Sequence, residues 1–275
     1  MEVIDLAFDP LRVLHNEIDD QELRRSRRTI WGDLTPPAAA RSAGAANGLP
    51  YTYALFIQSK DGRTTDSLDG NVGRMSGVPA DRFGQYELRA YVDAFLVGAA
   101  TLRADRAVGV PAERELLERR RREKGNSAPL NVFFSASGNI PADSSVFREP
   151  EVDVALFVTE AASDRVDQLR RLTPDVVVVQ GDAPLRGVWR ELGRRGVETI
   201  GFEGGPKMMG LALRDGLVHE LLLTHSPLIL GGPGTGFADI VEPLVGITTR
   251  LLFLGLDEST GLLFERSSLT YERGR

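Results

Sequence analysis

Val197-Glu-Thr-Ile-Gly-Phe-Glu-Gly-Gly-Pro-Lys-Met-Met-Gly-Leu211 is the stretch on which the fold turns. A β-branched, apolar run ends at Glu203, two glycines follow, and Pro206 opens a segment with helical spacing. Strand, Gly-Gly, Pro, helix builds an anion seat. Glycine permits close approach of backbone N–H groups to a ligand. Proline suits the first helical position, where its missing N–H costs nothing. The helix then aims free N–H groups and its positive dipole end at the same point. Glu203, last on the strand, is placed to face that pocket. An ordinary strand-to-helix turn has the same local pattern, so a second site-like stretch matters.

That second stretch is Asp93-Ala-Phe-Leu-Val-Gly-Ala-Ala-Thr-Leu-Arg-Ala-Asp105. A short apolar strand runs into Gly98 and small residues. Thr101 and Asp105 are four apart and share a face if the turn is helical. A hydroxyl and a carboxylate there suit a cofactor amide or ribose, or simply cap a helix. Around these two points the chain alternates strand-like runs (51–58, 94–98, 129–135, 153–159, 175–180, 198–203) with helical ones (80–91, 162–172, 185–195, 206–215). Continuous runs such as Val176-Val-Val-Val179 imply strands covered on both faces. The alternation predicts an α/β fold with a parallel sheet. After Gly216 the segments 219–226, 250–256 and 262–272 lack intervening helices, which predicts antiparallel strands at the C-terminal end.

Leu88-Arg-Ala90, Asp93 to Thr101, Ala104-Asp105, Glu203-Gly-Gly-Pro206, Gly216-Leu-Val-His-Glu-Leu221 and Pro227-Leu-Ile-Leu-Gly-Gly232 occur in one order. Together with Ser59-Lys-Asp-Gly-Arg-Thr64, this set resembles the pyrimidine reductase family of riboflavin biosynthesis over roughly residues 50–270. The resemblance implies a dihydrofolate reductase-like mixed sheet, mostly parallel, with C-terminal antiparallel strands and flanking helices. It implies NADPH as cofactor, contacted by the main chain of Ile57, by Thr101 and Asp105, and by the Gly204, Gly205, Pro206, Lys207, Met208 and Met209 turn. It implies substrate contacts from Arg89, to a phosphate, and from Glu203, to a pyrimidine ring. The expected reaction is NADPH-dependent reduction of 5-amino-6-(5-phosphoribosylamino)uracil. A related reductase acting on a pteridine or other heterocycle is one alternative, and a non-catalytic binding protein is another. No catalytic residue is singled out. The sequence departs from the family on the substrate side, where Val72 to Gly77 retains only Ser76-Gly77 and Asp105-Arg106-Ala107 replaces Asp-Asp-Pro.

The 275 residues, 42% hydrophobic and 26% charged, are those of a globular protein. A net charge of −6 argues against a generic nucleic-acid partner. The chain has no cysteine, which excludes disulfides, thiolate catalysis and a Cys-ligated zinc deaminase. No apolar run approaches the roughly 20 residues of a membrane span, and no signal peptide is apparent, so a cytoplasmic location is expected. Three histidines, His15, His219 and His225, suggest no metal site. Residues 1–48 read as an extension, with a charged helix over Asp19 to Trp31 and a linker over Pro36 to Gly48. Residues 49–275 read as the reductase domain. The charged run Glu113 to Lys124 predicts a solvated helix, positioned in sequence to cap the site. A homodimer is expected, because 219–226 and 250–256 would otherwise leave an exposed sheet edge.

Overall fold

Tyr51 to Gln58, eight residues with alternating faces and no Gly or Pro, forms the strand on which the molecule is organised. The computed structural model describes residues 3–18, 29–65, 75–105 and 109–272, without the side chains of 42–45, 104 and 105. Ten strands lie in one sheet among the described residues: β1 (Arg12–Asn16), β2 (Tyr51–Gln58), β3 (Ala94–Gly98), β4 (Leu130–Ser135), β5 (Val154–Thr159), β6 (Val176–Val179), β7 (Thr199–Phe202), β8 (Glu220–His225), β9 (Ile247–Leu256) and β10 (Leu263–Tyr271). Their spatial order is β1-β9-β10-β8-β2-β7-β3-β4-β5-β6. From β8 to β6 every pairing is parallel, and β1, β9 and β10 add antiparallel pairings beyond β8. This is the expected mixed, mostly parallel sheet.

The α-helices among the described residues are α1 (Ala38–Asn47), α2 (Pro79–Tyr91), α3 (Ala99–Asp105), α4 (Arg114–Lys124), α5 (Val166–Leu169), α6 (Pro184–Arg194) and α7 (Pro206–Arg214). Side-chain alternation divides the core between two faces. Ala54, Ile200, Phe202, Leu221 and Leu223 pack with Trp189 of α6 and Met209 of α7. Tyr51, Tyr53 and Leu222 pack with Phe83 and Leu88 of α2 on the other face. Glycine 201 belongs to that second face, since a Cβ there would meet Val92 and Leu88. Glu203, two residues on, therefore looks toward α2.

Several expectations change. Pro36 to Gly48, read as linker, contains α1. The extension also supplies β1, which covers β9 as the outermost strand. Strand β8 lies between β10 and β2, and β9 between β1 and β10, so neither leaves the exposed edge on which the dimer argument stood. Most of the expected helix over Asp19 to Trp31 lies outside the described residues. Its last residues are not helical, and Ile30 and Trp31 are fully buried. Buried Glu87 holds them by accepting hydrogen bonds from Ile30 N (2.8 Å), Trp31 N (3.0 Å) and the Thr29 hydroxyl. Arg266 donates to the carbonyls of Trp31 (2.9 Å) and Asp33 (2.7 Å) and pairs with Glu220 at 2.5 Å. The predicted helix 162–172 is a tight turn over Glu160–Arg165 followed by the short α5, because Ala162 leaves helical geometry (φ −111°, ψ 16°).

The charged run forms α4, but its face is not all solvated. Arg120 is 1% exposed and donates to the carbonyls of Arg89 (3.1 Å), Ala90 (3.1 Å) and Val92 (2.7 Å). It satisfies the open C-terminal carbonyls of α2. Helix α4 is thus anchored at the C-terminal end of α2.

Candidate functional site

Parallel strands deliver their C-terminal ends to one edge, the usual place for a ligand crevice. Here β2, β3, β7 and β8 end at Gln58, Gly98, Phe202 and His225. The chain leaving β7 stays paired for one more residue, Glu203 N donating to Leu96 O at 3.0 Å. It then turns through Gly204 and Gly205 into α7.

The two glycines have different duties. A Cβ on Gly204 would lie 2.4 Å from the Phe202 ring, so its absence is a packing requirement. Gly205 adopts φ −65° and ψ 169°, open to any residue, and among the described residues a Cβ there would meet only Thr101 Oγ1 at 3.9 Å. Neither backbone geometry nor core packing demands glycine at 205. The space it leaves lies between Thr101 and the start of α7. Pro206 begins the helix, and the N–H groups of Lys207 and Met208 fall in its first turn, ahead of any i−4 acceptor. The residues therefore fit a phosphate-bearing cofactor: an open cradle, a hydroxyl and helix N–H groups. Lys207 is exposed and Met208 half-buried against Gly98. Met209 has its side chain 0% exposed in the core, and its N–H donates to Gly205 O at 3.0 Å. Asp105 ends α3, and its side chain lies outside the described residues. Ile57 is half-buried near the end of β2, in register with Thr224.

On the α2 side, the two expected substrate residues meet. Arg89 Nε donates to Glu203 Oε1 at 3.0 Å and Nη2 to Oε2 at 2.6 Å, a two-pronged pair with side chains 10% and 15% exposed. The guanidinium also lies 4.7 Å from the Phe95 ring centroid. Its planar fork matches a carboxylate, and here that carboxylate belongs to the protein.

Three further features escaped the sequence reading. Asp81, buried near the start of α2, accepts from Gln85 Nε2 at 3.0 Å and from Thr224. Burial pushes its carboxyl up to about 6 against these donors, and the negative charge of Glu203 acts in the same direction. His225 bridges Gln58 (3.2 Å) and Glu265 (2.8 Å), and this contact holds the Glu265 carboxyl below its ordinary value. The third explains the Ser59 to Thr64 signature. Asp61 accepts from Ser59 Oγ (2.7 Å), Leu230 N (3.1 Å) and Gly231 N (2.8 Å), which hold its carboxyl well below the usual range. That carboxylate fastens the 228–235 loop to the end of β2, joining two motifs far apart in sequence. No group of three or more metal-ligating side chains occurs among the described residues, nor any helix long and apolar enough to cross a membrane.

The sequence pattern of the RibD C-terminal domain matches residues 50–252. The chain is 27% identical over 187 residues to the 2,5-diamino-6-ribosylamino-4(3H)-pyrimidinone 5′-phosphate reductase of Aquifex aeolicus, covering 66% of this chain and 79% of that one. The enzyme of the same name from Archaeoglobus fulgidus is 24% identical over 183 residues, covering 66% and 83%. A pyrimidine reductase-like protein of Corynebacterium diphtheriae shares the fold at a TM-score of 0.72, with 24% identity and coverage of 88% and 98%.

Proposed function

The chain belongs to the RibD C-terminal domain family, and on that premise we propose that it is an NADPH-dependent reductase of a phosphorylated ribosylaminopyrimidine. One observation carries the reading. At the carboxyl edge of the sheet, β7 ends between an open cradle at Gly205 and Thr101 on one side and the Glu203–Arg89 pair on the other. A cleft with two chemically different walls at one strand end suits two ligands held face to face.

In this reading Gly205, the α7 N–H groups and Thr101 hold the diphosphate and ribose, and the main chain at Ile57 meets the carboxamide. The cofactor, when bound, supplies hydride. Glu203 accepts hydrogen bonds from the pyrimidine, and Arg89 orients that carboxylate through both prongs of its fork. Net reduction places hydride on the sugar carbon bearing nitrogen and a proton on the ring oxygen, opening ribosyl to ribityl. Catalysis then rests on alignment of the two carbons and exclusion of water more than on a strong acid. A homodimer is part of the proposal. Light scattering at micromolar concentration tests it, and a monomer removes it.

The direct test of the cofactor wall is Gly205→Val. The variant folds with an unchanged melting temperature, because 205 is open in space and in φ/ψ, and it binds NADPH at least about tenfold more weakly by fluorescence titration. Parental NADPH affinity in the folded variant overturns the placement.

A further inference from the structure

Residues 29–34 lie outside the stretch that matches the RibD C-terminal domain, yet they are built into the wall that carries Arg89. Ile30, Trp31 and Leu34 are at most 2% exposed. Toward α2, the Ile30 and Trp31 N–H groups and the Thr29 hydroxyl donate to buried Glu87, and Trp31 Nε1 donates to Gly84 O at 2.9 Å. Toward the sheet, the carbonyls of Trp31 and Asp33 accept from Arg266 of β10, and Leu34 O accepts from the Tyr53 hydroxyl of β2 at 2.5 Å. The Trp31 ring also stands edge-on to Phe264 of β10, with centroids 5.6 Å apart. The segment thus ties α2 to β2 and β10 through buried hydrogen bonds at both ends. Its seat on the helix is prepared. Glycine inside a helix is unfavourable, but a Cβ on Gly84 would lie 3.0 Å from Trp31 Nε1 and 3.2 Å from Ile30 Cγ2, so the glycine admits the indole.

Glu87 and Arg89, two residues apart, point to nearly opposite sides of α2. The segment grips the helix by Glu87, and Glu203 of β7 meets it at Arg89. Arg120 already ties the carbonyls of Arg89, Ala90 and Val92 to α4, which leaves the seating of α2 over the sheet to residues 29–34. A two-pronged contact tolerates displacement of only about 0.5 Å. We propose that residues 29–34 are a brace that positions the Arg89–Glu203 pair for the pyrimidine, with Trp31 as its positioning residue. The identity of that ligand rests on the reductase reading above; the geometry of the pair does not.

The test uses two full-length variants. Trp31→Phe keeps a ring but loses the N–H, and Gly84→Ala pushes the indole off α2. Trp189→Phe is the matched control, losing an equally buried indole bond, Nε1 to Thr52 Oγ1 at 2.8 Å, on the other face of the sheet. Solvent exchange of the Arg89 Nε–H is followed by NMR without ligand. Calorimetry gives Kd for NADPH and for the 2,5-diamino ribosylaminopyrimidine phosphate. Both brace variants speed Arg89 exchange by at least about tenfold. They weaken the pyrimidine by at least about fivefold and leave NADPH within about twofold of the parent. Trp189→Phe lowers the melting temperature and leaves Arg89 exchange at the parental rate. In an Arg89→Met background, Trp31→Phe weakens the pyrimidine no further, because the brace acts through that pair. A purely structural segment would lower melting temperature alone. Unchanged Arg89 exchange or unchanged pyrimidine Kd in both folded brace variants, or additive losses with Arg89→Met, overturns the inference. If exchange quickens while the parent binds no pyrimidine, the reductase reading falls and the positioning of the pair stands.

Discussion

Replacing Arg89 by Met asks how much the cleft depends on one ion pair. Arg89 and Glu203 share two hydrogen bonds, at 3.0 and 2.6 Å, with side chains 10% and 15% exposed. Removing one partner of a buried pair typically costs about 3–5 kcal/mol, because the other charge is left uncompensated. The residual exposure admits water to Glu203 and lowers that to about 2–3 kcal/mol. Loss of the guanidinium from the Phe95 face, 4.7 Å from the ring centroid, adds about 0.5–1 kcal/mol. Arg89→Met should therefore destabilise by about 3 kcal/mol in urea unfolding. The double variant Arg89→Met/Glu203→Leu, with no charge left to strand, should recover to within about 1 kcal/mol of the parent. A single variant within about 1 kcal/mol of the parent, or a double variant no better than the single, would refute the argument. Arg89→Lys separates roles in binding. Lysine keeps the charge but loses the fork. If Arg89 orients Glu203, KM rises by a similar factor for phosphorylated and dephosphorylated substrates. A rise confined to the phosphorylated one would return Arg89 to the phosphate contact that the sequence suggested.

Gly204→Ala drives a methyl toward the Phe202 ring, 2.4 Å from the ideal Cβ, and should cost about 1–3 kcal/mol in unfolding. An unchanged midpoint there would show that the turn yields freely. Asp81 and Glu87 are raised by burial to about 6 and about 7 from 3.8 and 4.5. Between about pH 4 and 7 the unfolded chain sheds these protons while the native one keeps them, so stability falls as pH rises and levels off above 7. Burial of His219 lowers its pKa and acts with the opposite sign in the same window, so the comparison is between variants: Glu87→Gln should lose part of the parent's fall in urea midpoint from pH 5 to pH 8, and an identical pH dependence in the folded variant contradicts the Glu87 assignment. Arg120→Met strips three carbonyls at the end of α2 of a donor and should destabilise by about 2–4 kcal/mol, with a melting temperature within a degree or so of the parent as the opposing result. Asp61→Asn should speed hydrogen exchange at Leu230 and Gly231 by roughly tenfold or more, and unchanged exchange would mean that the loop does not hang on that carboxylate.

The parts of the fold legible in sequence were those with a period. Val176 to Val179, Ala94 to Val97 and the Glu203 to Pro206 turn declare strand and strand-to-helix junction through local chemistry. Strand β1 carries no such signal. It is exposed at the sheet edge, with Val13 and Leu14 half in solvent, and it exists because β9 offers a partner. Helix α1 is rich in Ala and weakly amphipathic, and with Pro36 and Pro37 before it and Gly48 after it the segment reads as linker. The turn over Glu160–Arg165 shows the converse, tertiary packing overriding an apparent helical period. Within the site, the glycine pair was visible but its division of labour was not, because only the Phe202 ring distinguishes 204 from 205. Asp81 and Gln85 did leave a trace. Polar residues at four-residue spacing ahead of Arg89 occupy the inward face of a helix that should be apolar there. The Glu203–Arg89 pair left none, since 114 residues separate its members.

The central claim is that the edge of this sheet joins a nicotinamide cofactor to a phosphoribosylaminopyrimidine for reduction. The most direct measurement is NADPH absorbance followed with purified full chain and the 2,5-diamino ribosylaminopyrimidine phosphate, with the product identified by mass. The account predicts NADPH loss that requires the pyrimidine, matches it one for one, and yields a product heavier by two hydrogens with an open ribityl chain. NADPH left unoxidised while the folded chain holds both ligands would contradict it.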